Sequence, residues 1–226
     1  MKNTRSVFLS SLTALSLMAL TTAAYADVIY SNFGAGDTYS LTVNYPVYGP
    51  NTGISTDSQS EAAFFTPTQN FTLTSFEVGV RHLLGPNSFL FSIVADNGGL
   101  PTGAAIVSPF NTSLTGTMAT PAIDSFSVTG SLLAGQKYWL VMEPGTPESL
   151  AWWGANTTGA MGVAIQSNGD PWILDGGRLP SPVFRINGRP TVPTNLTPEM
   201  PAGVQAVPIL LAVGGMALYQ RRKRSV

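Results

Sequence analysis

The stretch Phe71-Thr72-Leu73-Thr74-Ser75-Phe76-Glu77-Val78-Gly79-Val80 decides the fold class of this chain. Apolar and polar residues alternate through its first four positions, and they alternate again in the opposite phase from Phe76 onward. A period of two is typical of a β-strand with one buried face, and one extra residue in a β-bulge reverses the phase. We therefore predict one long strand, or two short ones, with an irregularity at Ser75.

Other segments of the chain also have the short apolar runs that are typical of β-strands. Residues 88–94 form a second β-rich run, which ends at Asp96-Asn97-Gly98-Gly99. This cluster favours a tight hairpin turn over a calcium-binding loop, because the acidic spacing of such a loop does not continue. Further short runs separated by Gly, Pro, Asn, Ser or Thr occur at 124–128, 137–142, 151–155, 163–166 and 183–187. The pattern predicts an all-β domain, an antiparallel β-sandwich or jelly roll.

Residues 38–60 are rich in Asn, Thr, Ser, Gly and Pro but also carry three tyrosines, Tyr39, Tyr45 and Tyr48. Aromatic residues seldom occur in free linkers. We therefore predict a long loop packed over the sandwich in this segment.

The N-terminus has the three parts of a secretory signal peptide. Lys2 and Arg5 supply the positive charge, residues 7–20 are apolar, and Ala24-Tyr25-Ala26 is a small-residue cleavage site. The apolar run is short for a membrane span, which favours a cleaved signal over an uncleaved anchor. We predict that signal peptidase removes residues 1–26 and that the mature chain starts at Asp27.

The C-terminus has the features of a membrane anchor. Residues 189–201 form a Pro- and Thr-rich stalk, and residues 202–220 are long and apolar enough for a transmembrane helix. A basic tail at 221–226 follows, in which Arg221, Arg222, Lys223 and Arg224 keep the end of the chain in the cytoplasm. The predicted β-domain, residues 27–188, therefore faces outward from the inner membrane.

Composition excludes several classes of function. Eleven acidic and five basic residues lie between Asp27 and Thr197, so this part has a formal charge of −6, whereas the whole chain has −1. A nucleic-acid partner would require basic clusters, so we predict none. The chain has no cysteine, which rules out disulfides and cysteine metal sites. We assign no metal-binding residue and predict no cofactor, and the carboxylates leave calcium binding open.

Catalytic patterns are sparse. His82 is the single histidine and no G-x-S-x-G motif accompanies it, so a serine triad is not predicted. Two pairs of carboxylates, Glu143 with Glu148 and Asp170 with Asp175, lie near turns or Trp172. They leave a glycoside hydrolase-like enzyme as a second alternative, although we predict no catalytic residue and no enzyme.

The pair Trp152-Trp153 favours a different alternative. Neighbouring residues on a strand point to opposite faces, so one of these rings can enter the core while the other reaches solvent. An exposed tryptophan on a sandwich can stack on a sugar ring. Trp153 and Trp172 are therefore candidate sugar-stacking residues of a carbohydrate-binding module.

The tail, with Pro198-Glu199-Met200-Pro201 before the apolar run and the basic cluster, resembles the PEP-CTERM sorting signals of bacteria with exopolysaccharide systems. Met200 is inserted in the usual Pro-Glu-Pro triplet. The resemblance implies an exosortase-like membrane protease as a partner. It also implies delivery from the inner membrane to the cell surface or the extracellular matrix.

The body resembles the choice-of-anchor R domains, an exported family. The residues that carry this resemblance are Tyr30-Ser31-Asn32-Phe33 with Gly34 and Gly36, Phe71-Thr72-Leu73-Thr74-Ser75, Ala95-Asp96-Asn97-Gly98-Gly99-Leu100-Pro101 and Gly135-Gln136-Lys137-Tyr138-Trp139-Leu140-Val141. The resemblance implies a β-sandwich and an exported location, and it supplies no catalytic or ligand residues.

The sequence thus favours an exported surface protein with a structural or adhesive role in the cell envelope or exopolysaccharide matrix. A carbohydrate-binding module for exopolysaccharide is the first alternative, and it requires an exposed aromatic ring. The hydrolase requires two carboxylates that converge in a cleft.

Overall fold

A computed structural model describes residues 26–176 and 179–191, and this part of the chain contains twelve β-strands and no helix. The all-β prediction is therefore confirmed. The strands are β1 (Asp27–Ser31), β2 (Ser40–Tyr48), β3 (Gln59–Phe65), β4 (Phe71–Leu84), β5 (Phe89–Ala95), β6 (Ala105–Thr112), β7 (Ala122–Leu132), β8 (Tyr138–Pro144), β9 (Leu150–Ala155), β10 (Val163–Ser167), β11 (Ile173–Leu174) and β12 (Phe184–Pro190).

Both predicted membrane-related segments fall outside these residues. Of the predicted signal peptide, only Ala26 is described; it is exposed and precedes β1 directly. The remainder of that segment, most of the stalk, the sorting motif at 198–201, the apolar run and the basic tail lie outside the described residues. Among residues 26–176 and 179–191, no helix is long and apolar enough to cross a membrane.

The strands form one curled antiparallel sheet, consistent with a β-sandwich. Its main order is β1-β12-β4-β9-β2-β3-β8-β5-β6. Two branches leave this path: β7 pairs with β4, and β10, which also pairs with β11, pairs with β3. Strand β4 is therefore shared by three neighbours, because β12 and β7 flank its first part and β9 pairs with its last part.

The predicted phase reversal in β4 is confirmed. Ser75 pairs with Asn187 and Leu73 pairs with Gly188, so Thr74 is an extra residue opposite β12. The pairing with β7 shifts at the same place. Because of this bulge, all five large apolar residues of the stretch are buried on one face: Phe71, Leu73, Phe76, Val78 and Val80.

Aromatic rings join the two halves of the sheet across the core. Phe76 of β4 lies 5.4 Å from Phe91 of β5, measured between ring centroids, and Phe126 of β7 lies 5.1 Å from Phe91. On the other side of the core, Phe184 of β12 lies 6.1 Å from Phe65 of β3. Burial of such rings is the main source of stability in a chain without disulfides.

A second, smaller core lies on the opposite face of β3, β8 and β10. Its buried members are Ala62, Trp139, Val141, Ala164 and Trp172. The segment that carries Trp172 and β11 contributes to this cover. The sheet is thus buried on both faces around β3 and β8, whose side chains are largely buried.

The prediction of a long loop at 38–60 is wrong, because β2 occupies residues 40–48. Tyr45 and Val47 of this strand are buried and alternate with half-buried Pro46 and Tyr48. Proline argues against a central strand, since it removes a ladder hydrogen bond. Strand β2 tolerates Pro46 because it is paired along its length only with β9. On its other side only Tyr48 pairs with β3, so that side has few ladder hydrogen bonds to lose.

The ends of the described domain lie side by side. Strands β1 and β12 are antiparallel, with Asp27 opposite Gly188. Arg189 and Pro190, which the sequence assigned to the stalk, belong to β12 and pair with Thr72 and Phe71. The chain therefore enters and leaves the domain at the end of the sheet where β4 begins.

We predict that Phe76→Ala destabilises the protein by about 3–5 kcal/mol, because it removes a fully buried ring that contacts Phe91 and Phe126. Chemical denaturation followed by tryptophan fluorescence measures the loss. Leu133→Ala is the matched control, since Leu133 is 54% exposed, and it should change the free energy of unfolding little. Equal losses in the two variants would contradict the assignment of the core.

Candidate functional site

The alternation along β9 sends the two neighbouring tryptophans to opposite faces, as predicted, but in the reverse order. Trp153 is fully buried, and its indole N–H donates to the carbonyl of Val183 at 2.7 Å. Its ring packs against Phe91 and Phe184. Trp153 therefore cannot stack on a sugar, and that prediction is wrong.

Trp172 is also unsuitable as a stacking platform. It is only 9% exposed, because it lies in the second core with Trp139 and Ala164. The prediction of an exposed ring at this position is wrong as well. The ring is buried because it lies in the second core with Ala62 of β3 and Trp139 of β8, residues far from Trp172 in the sequence.

Trp152 is the tryptophan that reaches solvent. It is half-buried on the outer face of β9, directly between Arg81 of β4 and Pro46 of β2. The guanidinium carbon of Arg81 lies 4.4 Å from the centroid of the indole ring, which is a cation–π contact. Arg81 Nη2 also donates to the carbonyl oxygen of Leu41 at 3.2 Å. These two contacts hold the guanidinium in place on the ring.

Tyr39 extends this surface along β4 and β9, two residues away from the pair Arg81 and Trp152. Its ring lies over Gly79 of β4 and Gly154 of β9: a Cβ atom on Gly79 would lie 2.9 Å from Cζ of Tyr39, and one on Gly154 would lie 2.5 Å from Cδ2. The hydroxyl of Tyr39 donates to the carbonyl of Ala122 at 3.1 Å. The ring of Tyr39 therefore occupies the space that side chains at these two positions would fill.

We call Tyr39, Leu41, Arg81 and Trp152 the Arg81 platform. Leu41 is 47% exposed, and beside it a shallow cavity of about 270 Å³ is lined by Asp37, Thr38, Tyr39, Leu41 and Pro121. The platform combines exposed apolar carbon, two aromatic rings and one cation. Such a surface can bind a ligand that has both an apolar face and a polar or negative group.

The charge of Arg81 is not balanced by a neighbouring carboxylate. Within residues 26–176 and 179–191 there are four Lys or Arg side chains. Lys137 lies 3.9 Å from Asp96, and Arg185 pairs with Glu77 and Asp37. In the same part of the chain, Arg81 and Arg189 have no carboxylate within 4 Å, and Nε of Arg81 is buried without a hydrogen-bond partner.

The hydroxyl of Tyr39 stays protonated at neutral pH. Burial raises the pKa of Tyr39 above its ordinary value, and the charge of Asp124 raises it further, while Arg81 lowers it. Asp124 is itself buried and accepts hydrogen bonds from the backbone N–H and the hydroxyl of Thr115. The Asp124 carboxylate is therefore satisfied by Thr115 and does not pair with Arg81.

A second concave feature lies at the edge of the second core. This groove has a volume of about 180 Å³ and is lined by Phe64, Gly99, Lys137, Trp139, Gly162, Val163, Leu174 and Gly176. Nζ of Lys137 lies 4.8 Å from the ring centroid of Phe64, and Trp139 Nε1 donates to Asp96 Oδ1 at 2.7 Å. The polar groups around the groove are thus already paired with one another.

The turn at 96–100 supports this groove. Gly98 and Gly99 both have positive φ angles, and Asn97 and Leu100 exchange two backbone hydrogen bonds, so the predicted tight hairpin is present. Asp96 Oδ2 accepts from the N–H of Gly99 at 3.0 Å. Asp96 therefore closes the turn and orients Trp139 at the same time.

The structure also contains a buried carboxyl group that sequence reasoning missed. Glu61 of β3 is fully buried, its Oε1 accepts from Gln59 Nε2 at 2.6 Å, and Oε2 has no partner among the described residues. Burial raises the pKa of Glu61 to about 8; the hydrogen bond from Gln59 lowers it and the charge of Asp175 raises it. Glu61 is therefore mostly protonated at neutral pH. Its position in the apolar run Glu61-Ala62-Ala63-Phe64-Phe65 was the available signal.

This arrangement differs from the carboxylate pairs considered in the sequence. The charge of Asp175 acts on both Glu61 and Tyr45 and raises the pKa of each. Burial is the larger cause of the raised pKa of Tyr45, whose hydroxyl donates to the carbonyl of Pro180. Glu143 is half-buried and burial raises its pKa, whereas Glu148 is exposed. Glu61 is closed off from solvent, so it is poorly placed to meet a glycosidic bond.

No metal site is formed by the residues that the structure describes: they contain no group of three or more His, Asp or Glu side chains that could hold an ion. His82, considered in the sequence as a catalytic histidine and set aside, is half-buried at the end of β4. Its Nε2 lies 2.9 Å and 3.0 Å from the carbonyl oxygens of Leu84 and Gly85. The ring nitrogen is thus engaged by backbone.

We predict that Glu61 makes stability depend on pH. In the folded state Glu61 keeps its proton up to about pH 8, whereas in the unfolded chain it releases the proton near pH 4.5. Between these two values unfolding releases a proton, so the free energy of unfolding falls as pH rises. The expected slope is about 1.4 kcal/mol per pH unit. Glu61→Gln should remove most of it, as measured by urea denaturation at several pH values between 4.5 and 8.

Glu148→Gln is the control for this experiment, since Glu148 is an exposed acid outside the core. It should keep the slope of the unaltered protein. A slope that survives in Glu61→Gln would show that another group carries the pH dependence.

The assignment of function rests on this geometry and on the sequence patterns at the two ends of the chain. No model of a known protein family matches the chain, and no curated protein matches its sequence. The Arg81 platform is the surface that best fits a binding role, since it combines two half-buried aromatic rings with a cation that lacks a carboxylate partner among the described residues.

Proposed function

We propose that the protein is an exported surface protein with a structural or adhesive role in the cell envelope or exopolysaccharide matrix. In this proposal the curled sheet is an antiparallel β-sandwich of jelly-roll type, supported by the ring contacts that join β4, β7 and β12 to β3 and β5. Signal peptidase removes residues 1–26. The stalk and apolar segment then hold the domain at the outer side of the inner membrane.

The observation that carries the proposal is the position of the two ends of the domain. Asp27, the first residue after the proposed cleavage site, starts β1 and lies opposite Gly188, and the chain leaves for its tail at Thr191. Both ends therefore lie at the start of β4, where Pro190 pairs with Phe71. Arg81 is ten residues farther along this strand, about 30 Å away. A domain tethered by its tail presents the Arg81 platform away from the tether.

The proposal gives the domain no catalytic role and no cofactor. Two features support this: the single histidine ring is held by backbone carbonyls, and the carboxyl group with the largest change in pKa lies sealed inside the core. A carbohydrate-binding role remains as a second candidate function. Trp152 supports it, in place of the buried Trp153 and Trp172.

The tail supplies the proposed route to the surface. Pro198-Glu199-Met200-Pro201, the apolar run and the basic cluster are in the order of a sorting signal. We propose that an exosortase-like membrane protease cuts near the motif and releases the domain to the cell surface or matrix.

We predict that Glu199→Ala blocks this processing, because it removes the one charged residue of the motif. Intact mass and cell fractionation of the protein from its native host test this. The unaltered protein should begin at Asp27, lack residues 202–226 and occur at the surface, whereas the variant should keep the tail and stay in the inner membrane.

Glu148→Ala, which changes an exposed acid of the domain, is the matched control and should be processed normally. If the unaltered protein also retains its tail, the sorting proposal is wrong and the protein is a single-span membrane protein. If it retains residues 1–26, the proposed signal cleavage is wrong.

A further inference from the structure

The outer face of the sheet is covered in one region and open in another. Around β3, β8 and β10, the second core covers it and buries Trp139 and Trp172. Around β4, β9 and β2, the ring of Trp152 is half-buried, and Leu41 and Val43 of β2 are 47% and 38% exposed. The open region is therefore where an aromatic ring of the sheet meets solvent.

Arg81 is fixed within this open region before any ligand arrives. The indole ring of Trp152 lies against its guanidinium, and the carbonyl of Leu41 accepts one of its N–H groups. A guanidinium has five N–H donors in a planar fork that matches a carboxylate. Because the side chain is already ordered, a ligand that pairs with it loses little further conformational freedom.

The nearby acids do not compete for this cation. Asp37 pairs with Arg185, and Asp124 accepts two hydrogen bonds from Thr115. The domain is negatively charged as a whole, which disfavours long-range attraction of a polyanion. At physiological salt this repulsion is screened beyond about 8 Å, so contacts at the platform decide binding.

We propose that the Arg81 platform binds an acidic polysaccharide through one carboxylate-bearing sugar residue. The guanidinium of Arg81 pairs with the sugar carboxylate, and the apolar C–H face of the sugar ring packs against Tyr39, Leu41 and the part of the Trp152 ring that Arg81 leaves open to solvent. The position of Tyr39 over Gly79 and Gly154 sets the second aromatic surface one row away along the sheet. This inference rests on the proposed surface role and names the class of partner for it.

Binding of the purified full-length protein to immobilised polygalacturonate, alginate and methyl-esterified polygalacturonate tests the proposal. The ester keeps the same sugar ring and removes the negative charge of the carboxylate. We expect binding to at least one acidic polymer, and at least about tenfold weaker binding to the ester than to polygalacturonate where the latter binds.

Three variants separate the contributions. Arg81→Gln should weaken binding to the acidic polymer about tenfold and leave the ester unchanged, and Arg81→Lys should recover only part of the loss, since lysine lacks the fork. Trp152→Ala should weaken binding to every polymer. Arg189→Gln, which removes an exposed cation at the other end of the sheet, is the matched control and should bind like the unaltered protein.

The outcomes are distinct. Unaltered binding by Arg81→Gln with an unchanged thermal midpoint overturns the proposal, and so does failure of the unaltered protein to bind either acidic polymer. Equal, Trp152-dependent binding to acid and ester shows a platform for neutral sugars and also overturns it. None of these results depends on processing of the tail, so failure here is distinguishable from failure of the proposed surface role.

Discussion

The bulge at Thr74 is the constraint on which the rest of the structure depends, because β4 is the strand that three others share. A regular strand would place Phe71 and Leu73 on one face and Phe76 and Val78 on the other. The extra residue brings all of them to the core, where Phe76 meets Phe91 and Phe126. The same strand then continues beyond β12 to carry Arg81 on its outer face opposite Trp152. The register of β4 with its neighbours therefore determines both the core and the candidate binding surface.

The period-two alternation that forms the core also decides which aromatic residues can act. In β9, Ala151, Trp153 and Ala155 share the buried face, so Trp152 must point outward. In β4, Gly79 and Arg81 share the outer face with it, and the absence of a side chain at Gly79 lets Tyr39 lie on the backbone. A ring that reaches solvent and a ring in the core thus differ by one position in the sequence.

Sequence periodicity was sufficient for the strands with a regular local pattern and insufficient where distant segments meet. It predicted the bulge in β4, the run that became β5 and the tight turn at 96–99, in which Gly98 and Gly99 are the residues with positive φ. It missed β2, where Pro46 is tolerated because the strand has little pairing on one side. It also placed the exposed rings wrongly, since local alternation does not say which face of a strand is the core, or that Trp172 lies in a second core with Ala62 of β3 and Trp139 of β8. The contact of Tyr39 with two glycines on other strands has no local signature at all.

Glu61 and Arg81 are two charged residues in unusual surroundings, and their chemistry gives them different roles. Glu61 can take up a proton, and burial shifts its pKa so far that it stays mostly neutral inside the core. It then needs no counter-ion. Arg81 cannot lose its charge in a protein, so its guanidinium must be stabilised by water, an aromatic face or an anion. Trp152 and the carbonyl of Leu41 satisfy it in part. Its remaining donors lie next to the exposed side chain of Leu41, so Arg81 rather than Glu61 is the residue whose charge is available to a partner.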